Sequence, residues 1–246
     1  MIEVYADGAD FDGILKAAEN SRVTGFTTNP TLMKQAGITD YEKFAKDIIK
    51  ELSVRRPGTN ISLEVFADEQ EEMYAQAKKI ASWGTESNYD VFVKIPVMNT
   101  KGVPNYDLIK RLNTEGINLN VTAVFTVEQT KAILDSIINP VPVIISIFAG
   151  RIADTLRDPE SITRLCVVEY KNSKYVGFIN VKFLWASCRE QYHIVMAENA
   201  GCNIITMLHS QIDKLNLEGK DLTEFSKETV EMFYNDALKS GFKINL

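Results

Sequence analysis

The 246-residue sequence predicts an α/β fold, a single (β/α)8 TIM barrel over residues 1–246 with 222–246 as a C-terminal helical tail. Short runs rich in β-branched and aromatic residues alternate with longer segments of helical spacing, which is typical of a parallel sheet. Eight such runs occur, and the length is close to the roughly 250 residues of this barrel. An open doubly wound sheet is the alternative. No G-x-G-x-x-G or Walker-type loop favours its nucleotide-binding version.

The predicted strands are short apolar runs that end at a turn-forming or polar residue. The run 91–96, Val-Phe-Val-Lys-Ile-Pro, carries β-branched residues on one face and Phe92 and Lys94 on the other. Few polar residues interrupt these runs, as expected for strands covered on both faces. In chain order the strands are predicted at residues 2–7, 25–29, 61–66, 91–96, 119–125, 143–148, 181–187 and 203–207.

The intervening segments place apolar residues three and four apart. Phe44, Ile48 and Leu52 form one stripe, and Met73, Ala77 and Ile80 form another. Such stripes predict amphipathic helices that cover the outside of the barrel. The helices are predicted at residues 10–19, 41–52, 69–83, 105–112, 127–138, 161–170, 190–199 and 222–238.

Composition narrows the class of function. The net charge of -6 argues against a nucleic-acid partner, because a phosphate backbone favours a basic surface. The three cysteines, with no C-x-x-C pair, argue against a disulfide framework or a zinc site. The N-terminus lacks a basic, then apolar, signal pattern, and no run approaches the ~20 apolar residues that span a bilayer. We therefore expect a cytoplasmic protein with no membrane association.

Lys94 is the most informative residue because it lies within a predicted buried strand. An unpaired ammonium is costly to bury, so burial favours the neutral, nucleophilic amine. This is the form that attacks a carbonyl to make a Schiff base. A lysine that snorkels to solvent, or one neutralised by a structural carboxylate, is the alternative.

Polar residues recur at the ends of the other predicted strands. The active site of a (β/α)8 barrel lies at these carboxyl ends. Singly, each residue has an ordinary explanation, such as a helix cap, a turn or strand propensity. Together they predict one polar cluster, because buried polar groups need partners or a ligand. The polar residues are Asp7, Asn29, Glu64, Lys94, Asn120, Thr122, Ser146, Arg151, Ser187 and Arg189, and Phe148 shares the face of Ser146.

Arg151 and Arg189 follow neighbouring strands, and Ser187 lies beside the second arginine. Guanidinium groups, a hydroxyl and helix N-terminal N–H groups are common components of phosphate sites. The sequence thus predicts that the ligand is a phosphorylated carbonyl compound, with its carbonyl at Lys94 and its phosphate at the arginines.

Six motifs, in order along most of the chain, resemble those of the transaldolase family. They are T-T-N-P-T-L at 27–32, V-K-I-P at 93–96, G-I-N-L-N-V-T-A-V-F at 116–125, I-S-I-F-A-G-R-I at 145–152, W-A-S-C-R at 185–189 and A-G-C-N at 200–203. The resemblance implies transfer of a three-carbon dihydroxyacetone unit from fructose 6-phosphate or sedoheptulose 7-phosphate to an aldose phosphate, with neither a metal nor an organic cofactor. It also implies a place in pentose phosphate metabolism.

The resemblance also implies roles for these residues. Lys94 would form the imine, Asp7 would act as acid and base on the substrate hydroxyl, and Glu64 and Thr122 would position a water. Among the substrate-binding residues, Asn29, Asn120 and Ser146 would hold the dihydroxyacetone part, and Arg151, Ser187 and Arg189 would hold phosphate. Phe148 completes the substrate-binding set.

Two alternatives stay open at this point. Relatives that resemble fructose-6-phosphate aldolase release free dihydroxyacetone; they have glutamine and tyrosine where this chain has Glu64 and Phe148. A barrel that binds sugar phosphates without turnover belongs to a different class of function. Ile147 and Cys188 depart from the family pattern, where proline and an aromatic residue are usual. The small relatives resemble ring-forming oligomers, so we expect a homo-oligomer in which the amphipathic tail contacts neighbouring subunits.

Overall fold

The structure, a computed structural model, describes residues 2–244 and contains a closed barrel of eight parallel strands. Each strand pairs with the next along the chain, and β1 closes the barrel against β8. The predicted (β/α)8 barrel is therefore confirmed. The strands are β1 (Glu3–Asp7), β2 (Val23–Thr27), β3 (Asn60–Glu64), β4 (Asp90–Pro96), β5 (Leu119–Val124), β6 (Val143–Ile147), β7 (Val181–Trp185) and β8 (Ile204–Leu208).

Helices follow the strands on the outside, and each predicted helix is present with shifts of a few residues at its ends. Three short helices were not predicted: α2, α7 and α10. Each has only four to six residues, which is too short to show helical periodicity. The helices are α1 (Phe11–Glu19), α2 (Pro30–Gln35), α3 (Tyr41–Arg55), α4 (Gln70–Ser87), α5 (Tyr106–Thr114), α6 (Val127–Ser136), α7 (Ala149–Ala153), α8 (Pro159–Lys171), α9 (His193–Ala200), α10 (His209–Ile212) and α11 (Leu222–Ser240).

The helix starts have clear chemical causes. Asp10 caps α1 by accepting a hydrogen bond from the Gly13 amide at 2.7 Å. Thr126 and Gln129 form a reciprocal capping box at the start of α6. Such caps satisfy amides that have no partner within the helix and contribute about 0.5–2 kcal/mol each.

An apolar cluster of the core contains side chains from five strands. Tyr5, Phe92, Ile144, Leu184 and Ile204 pack together in it. Phe92 and Lys94 are two residues apart on β4, so Lys94 continues the same inward face one layer higher. The apolar layer thus forms the floor of a cavity that opens at the carboxyl ends of the strands.

The chain divides into two compact units, one that runs to Ile212 and one that begins at Asp213. The first contains the whole barrel. The second contains a 3₁₀ turn (Asp213–Leu217) and α11. All residues of α11 are at least partly exposed. None of the helices within the described residues is long and apolar enough to cross a membrane.

Candidate active site

A cavity of about 110 Å³ opens at the carboxyl ends of the strands. It is lined by every predicted site residue except Glu64 and Arg189. Thr27, Leu184, Ala186 and Thr206 complete its wall. A larger surface groove of about 810 Å³ is lined by Ser82, Thr85, Asn88 and neighbouring residues and includes none of the predicted site residues. The chemistry-bearing residues therefore converge on the smaller, interior cavity.

Lys94 is buried, with only 6% of its surface exposed, and its amine is paired. The Nζ atom lies 3.0 Å from Glu64 Oε2 and donates to the Thr28 carbonyl at 2.8 Å. The carboxylate partner that the sequence left open as an alternative is present, because β3 and β4 pair with Glu64 directly beside Lys94. The carboxylate opposes the effect of burial by stabilising the ammonium, and it is also within reach to accept the proton that the amine must lose before it can attack a carbonyl.

Asp7 ends β1 on the same cavity wall. Its Oδ1 atom accepts a hydrogen bond from Thr27 Oγ1 at 2.8 Å. Burial raises the pKa of Asp7, the positive charge of Lys94 and the Thr27 hydroxyl lower it, and the charge of Glu64 raises it further. Burial is the largest effect, so the pKa lies above that of an ordinary aspartate. A carboxyl group with a raised pKa is suited to exchange protons with a substrate hydroxyl near neutral pH.

Thr206 on β8 was missed by the sequence analysis. Its hydroxyl lies 2.5 Å from that of Thr27, which in turn donates to Asp7. The sequence did contain a signal, since Thr206 is the polar residue of the apolar run Ile-Ile-Thr-Met-Leu, much as Lys94 is in its own strand.

Asn120, Ser146 and Ser62 form a buried chain of hydrogen bonds across β5, β6 and β3. The Asn120 amide donates to Ser62 Oγ at 3.0 Å, and Ser146 Oγ donates to Asn120 Oδ1 at 2.7 Å. This network fixes the orientation of the amide. Asn120 and Ser146, two of the predicted binding residues, thus contact each other and also line the cavity.

Thr122 lies in an irregular part of β5. The register with β6 shifts between Val121 and Val124, and Ala123 has a φ of 57°. A positive φ is uncommon outside glycine, and a bulge of this kind redirects neighbouring side chains. Thr122 is only 2% exposed and lines the cavity.

Asn29 has a structural role in addition to its place on the cavity wall. Its Oδ1 atom accepts a hydrogen bond from the Leu32 amide at 3.0 Å and so caps α2, which has Pro30 as its first residue. The Asn-Pro pair thus begins a helix here and does not form the turn that such a pair often indicates. Asn29 also lines the cavity.

Phe148 and Arg151 form one side of the cavity mouth. The Arg151 guanidinium carbon lies 5.4 Å from the centre of the Phe148 ring, which packs at 5.7 Å against Phe125. This distance allows a cation–π interaction that orients the guanidinium. Arg151 and Ser187 both line this cavity.

Arg189 does not line the cavity. Its Nη2 atom lies 2.5 Å from Asp154 Oδ2, and both side chains are about half exposed. Arg151 and Ser187 thus line the cavity, whereas Arg189 pairs with Asp154 and does not line it.

The two residues that depart from the family pattern, Ile147 and Cys188, are both buried outside the cavity wall. The Cys188 thiol donates to the Glu190 carbonyl at 3.1 Å, and burial raises its pKa to about 12. A thiol in this state is not nucleophilic at neutral pH. All three cysteines are free in the described chain. Among the described residues, no group of three or more His, Cys, Asp or Glu side chains is arranged to bind a metal.

Comparison with known proteins agrees with this geometry. A family model described as transaldolase/fructose-6-phosphate aldolase matches residues 4–244. A probable transaldolase of Dehalococcoides mccartyi is 31% identical over 206 residues, which cover 84% of this chain and 86% of that protein. A probable transaldolase of Thermoanaerobacter sp. is 28% identical over 243 residues, 99% of this chain and 100% of the relative. Another, from Maridesulfovibrio salexigens, is 30% identical over 92% of this chain and 97% of its own.

Proposed function

Because this chain belongs to the transaldolase/fructose-6-phosphate aldolase family, we propose that it transfers a dihydroxyacetone unit between sugar phosphates through an imine on Lys94. Fructose 6-phosphate and sedoheptulose 7-phosphate are the proposed donors, and an aldose phosphate is the acceptor. The observation that carries the proposal is the buried Lys94 amine, which faces the cavity and lies 3.0 Å from Glu64. The resemblance and the geometry support the same nucleophile independently.

The first half of the reaction forms the imine. Glu64 accepts a proton from Lys94, and the neutral amine adds to the C2 carbonyl of the ketose. Proton transfer to the resulting hydroxyl allows a water molecule to leave, and the C–N double bond forms. We assign the positioning of this water to Glu64 and to Thr122, which lines the cavity from the neighbouring strand β5.

The second half breaks and remakes a carbon–carbon bond. Asp7 takes the proton from the C4 hydroxyl, the C3–C4 bond breaks, and an aldose phosphate leaves while the electron pair moves into the imine to give an enamine. Addition of the enamine to a second aldose phosphate reverses these steps, with Asp7 returning the proton. The raised pKa of Asp7 supports this role, because the group must bind and release a proton in each cycle.

The remaining cavity residues are assigned to substrate binding. Asn120 and Ser146, with Asn29, hold the hydroxyl groups of the three-carbon unit. Arg151 and Ser187 bind the phosphate. Arg189 also binds it if its guanidinium releases Asp154 and contacts the phosphate instead. The single cavity is consistent with donor and acceptor using the same phosphate site in turn.

Phe148 favours transfer over hydrolysis to free dihydroxyacetone. It lines the cavity but has no proton to donate to the enamine carbon. The enamine then persists until an aldehyde arrives. Aldolase activity, the alternative within the same chemistry, would be revealed by dihydroxyacetone release from fructose 6-phosphate in the absence of an acceptor.

Borohydride reduction tests the proposal directly. Incubation with fructose 6-phosphate and borohydride should inactivate the enzyme and leave a stable adduct that peptide mass mapping assigns to Lys94. Lys94→Met should prevent labelling, whereas the surface variant Lys182→Met should not. An adduct at another lysine would refute the assignment, and ligand binding without turnover under any acceptor would indicate a non-catalytic sugar-phosphate barrel.

The proposal also includes an oligomeric state and a cellular location. Phe225, Val230, Phe233 and Leu238 of α11 all have exposed side chains, which supports a homo-oligomer formed through this helix. Light scattering on the wild type and on Phe233→Glu should show a larger assembly that the variant disrupts. The three free, buried cysteines are compatible with the proposed cytoplasmic location.

A further inference from the structure

The chain immediately after β7 follows an unusual path at the anion-binding end of the cavity. Ser187 has a φ of 61°, which is uncommon for a residue other than glycine. Its carbonyl lies against Gly150 so closely that a Cβ on Gly150 would be 1.6 Å from the Ser187 oxygen. A backbone in this conformation persists only where its surroundings hold it.

Gln211 of α10 stabilises the segment after β7. Its Nε2 atom donates to the Cys188 carbonyl at 3.0 Å, and its Oε1 atom accepts from the Leu208 amide at 2.9 Å. Both distances are normal for hydrogen bonds, and the side chain is only 9% exposed. The amide thus connects the end of β8 to the segment after β7.

His193 supports the same segment from the other side. Its Nδ1 atom accepts from Trp185 Nε1 at 3.2 Å and, at a longer 3.4 Å, from the Arg189 amide. The imidazole is 5% exposed, and burial lowers its pKa. The neutral ring keeps a lone pair on Nδ1 for these two donors. No functional role for His193 was predicted from the sequence.

We propose that Gln211 is a positioning residue for the phosphate site, because it fixes the Cys188 carbonyl and thereby the flanking Ser187 hydroxyl and Arg189 backbone. This inference rests on the proposed phosphate role of Ser187 and Arg189. A buried carbonyl without its donor would favour a different path of the segment. Lys94 lies on β4, across the barrel from β8, so loss of Gln211 should affect phosphate affinity far more than the chemical step.

Two variants of Gln211 and one matched control test this role. Gln211→Glu keeps the acceptor for the Leu208 amide but loses the donor to Cys188, whereas Gln211→Leu loses both. Gln129→Leu is the control: this side chain also ties a segment after a strand, by accepting from the Phe125 and Thr126 amides at 2.8 and 3.1 Å. Thermal unfolding checks that all three variants fold.

We expect both Gln211 variants to raise the KM for fructose 6-phosphate about fivefold to tenfold, while kcat changes less than about threefold. The Kd of inorganic phosphate, measured by calorimetry, should rise by a similar factor, and Gln129→Leu should leave this Kd unchanged. Equal losses toward phosphorylated and non-phosphorylated ketoses, or an equal effect of the control, would overturn the proposal.

The phosphate titration separates this inference from the proposed function. If the wild type binds phosphate but turns over no sugar phosphate, the proposed function fails while the role of Gln211 is still decided by the Kd values. If Gln211→Glu and Gln211→Leu bind phosphate as tightly as the wild type, the positioning role is wrong even where transaldolase activity is present.

Discussion

Replacement of Lys94 by methionine should destabilise the protein as well as abolish turnover. Lys94 is 6% exposed and the Glu64 side chain 18% exposed, with 3.0 Å between their charged atoms. Removal of one partner leaves a largely buried carboxylate unpaired and the Thr28 carbonyl without its donor. Breaking a buried pair costs about 3–5 kcal/mol, and burial of the methionine side chain offsets part of it. We expect a net loss of about 3 kcal/mol, or a fall in Tm of roughly 6–12 °C for a protein of this size.

Urea denaturation at pH 7.5 of the wild type, Lys94→Met, Glu64→Gln and the double variant measures this coupling. The double variant should recover at least about 1.5 kcal/mol relative to the sum of the single variants, because no unpaired charge remains.

Lys182→Met is a matched control with the same substitution. Lys182 pairs with Glu3 at 2.6 Å, but both side chains are more than a third exposed, so the expected change is below about 1 kcal/mol. A Lys94→Met variant as stable as the wild type would refute the reasoning, since it would show that the lysine does not neutralise a buried carboxylate.

Three further substitutions test the neighbouring groups. Asp7→Asn should abolish carbon–carbon cleavage yet unfold at higher urea concentration than the wild type at pH 7.5. Because burial raises the folded-state pKa of Asp7, the wild type loses stability as pH rises above about 4. A stability difference in favour of the variant that narrows toward neutral pH would contradict this. Asp154→Asn should tighten inorganic phosphate binding by up to about fivefold in calorimetry, because the exposed pair with Arg189 no longer competes; weaker binding would show that Asp154 orients Arg189 instead. Ser62→Ala should lower the free energy of unfolding by about 1–2 kcal/mol in urea titrations, because the buried Asn120 amide loses its acceptor, and an unchanged value would exclude this network as a source of stability.

The sequence predicted the fold and most of the cavity because both depend on local patterns. An apolar run such as 91–96 is recognisable from its own residues, and its alternation places Phe92 and Lys94 on one face. In a parallel barrel all strands end at the same mouth, so polar residues such as Asp7 and Ser146 could be assigned to one site without knowledge of any distance. Both line the cavity.

Other features were decided only by the tertiary structure, because they join residues far apart in the chain. The pairing of Lys94 with Glu64 depends on the register of two strands, and the hydrogen bond from Gln211 to Cys188 depends on how α10 packs beside β8 and β1. Arg189 follows its strand as the pattern predicts, yet it pairs with a carboxylate 35 positions away and does not line the cavity. Local sequence determines which way a side chain leaves the backbone, whereas its partner is determined by the packing of the whole chain.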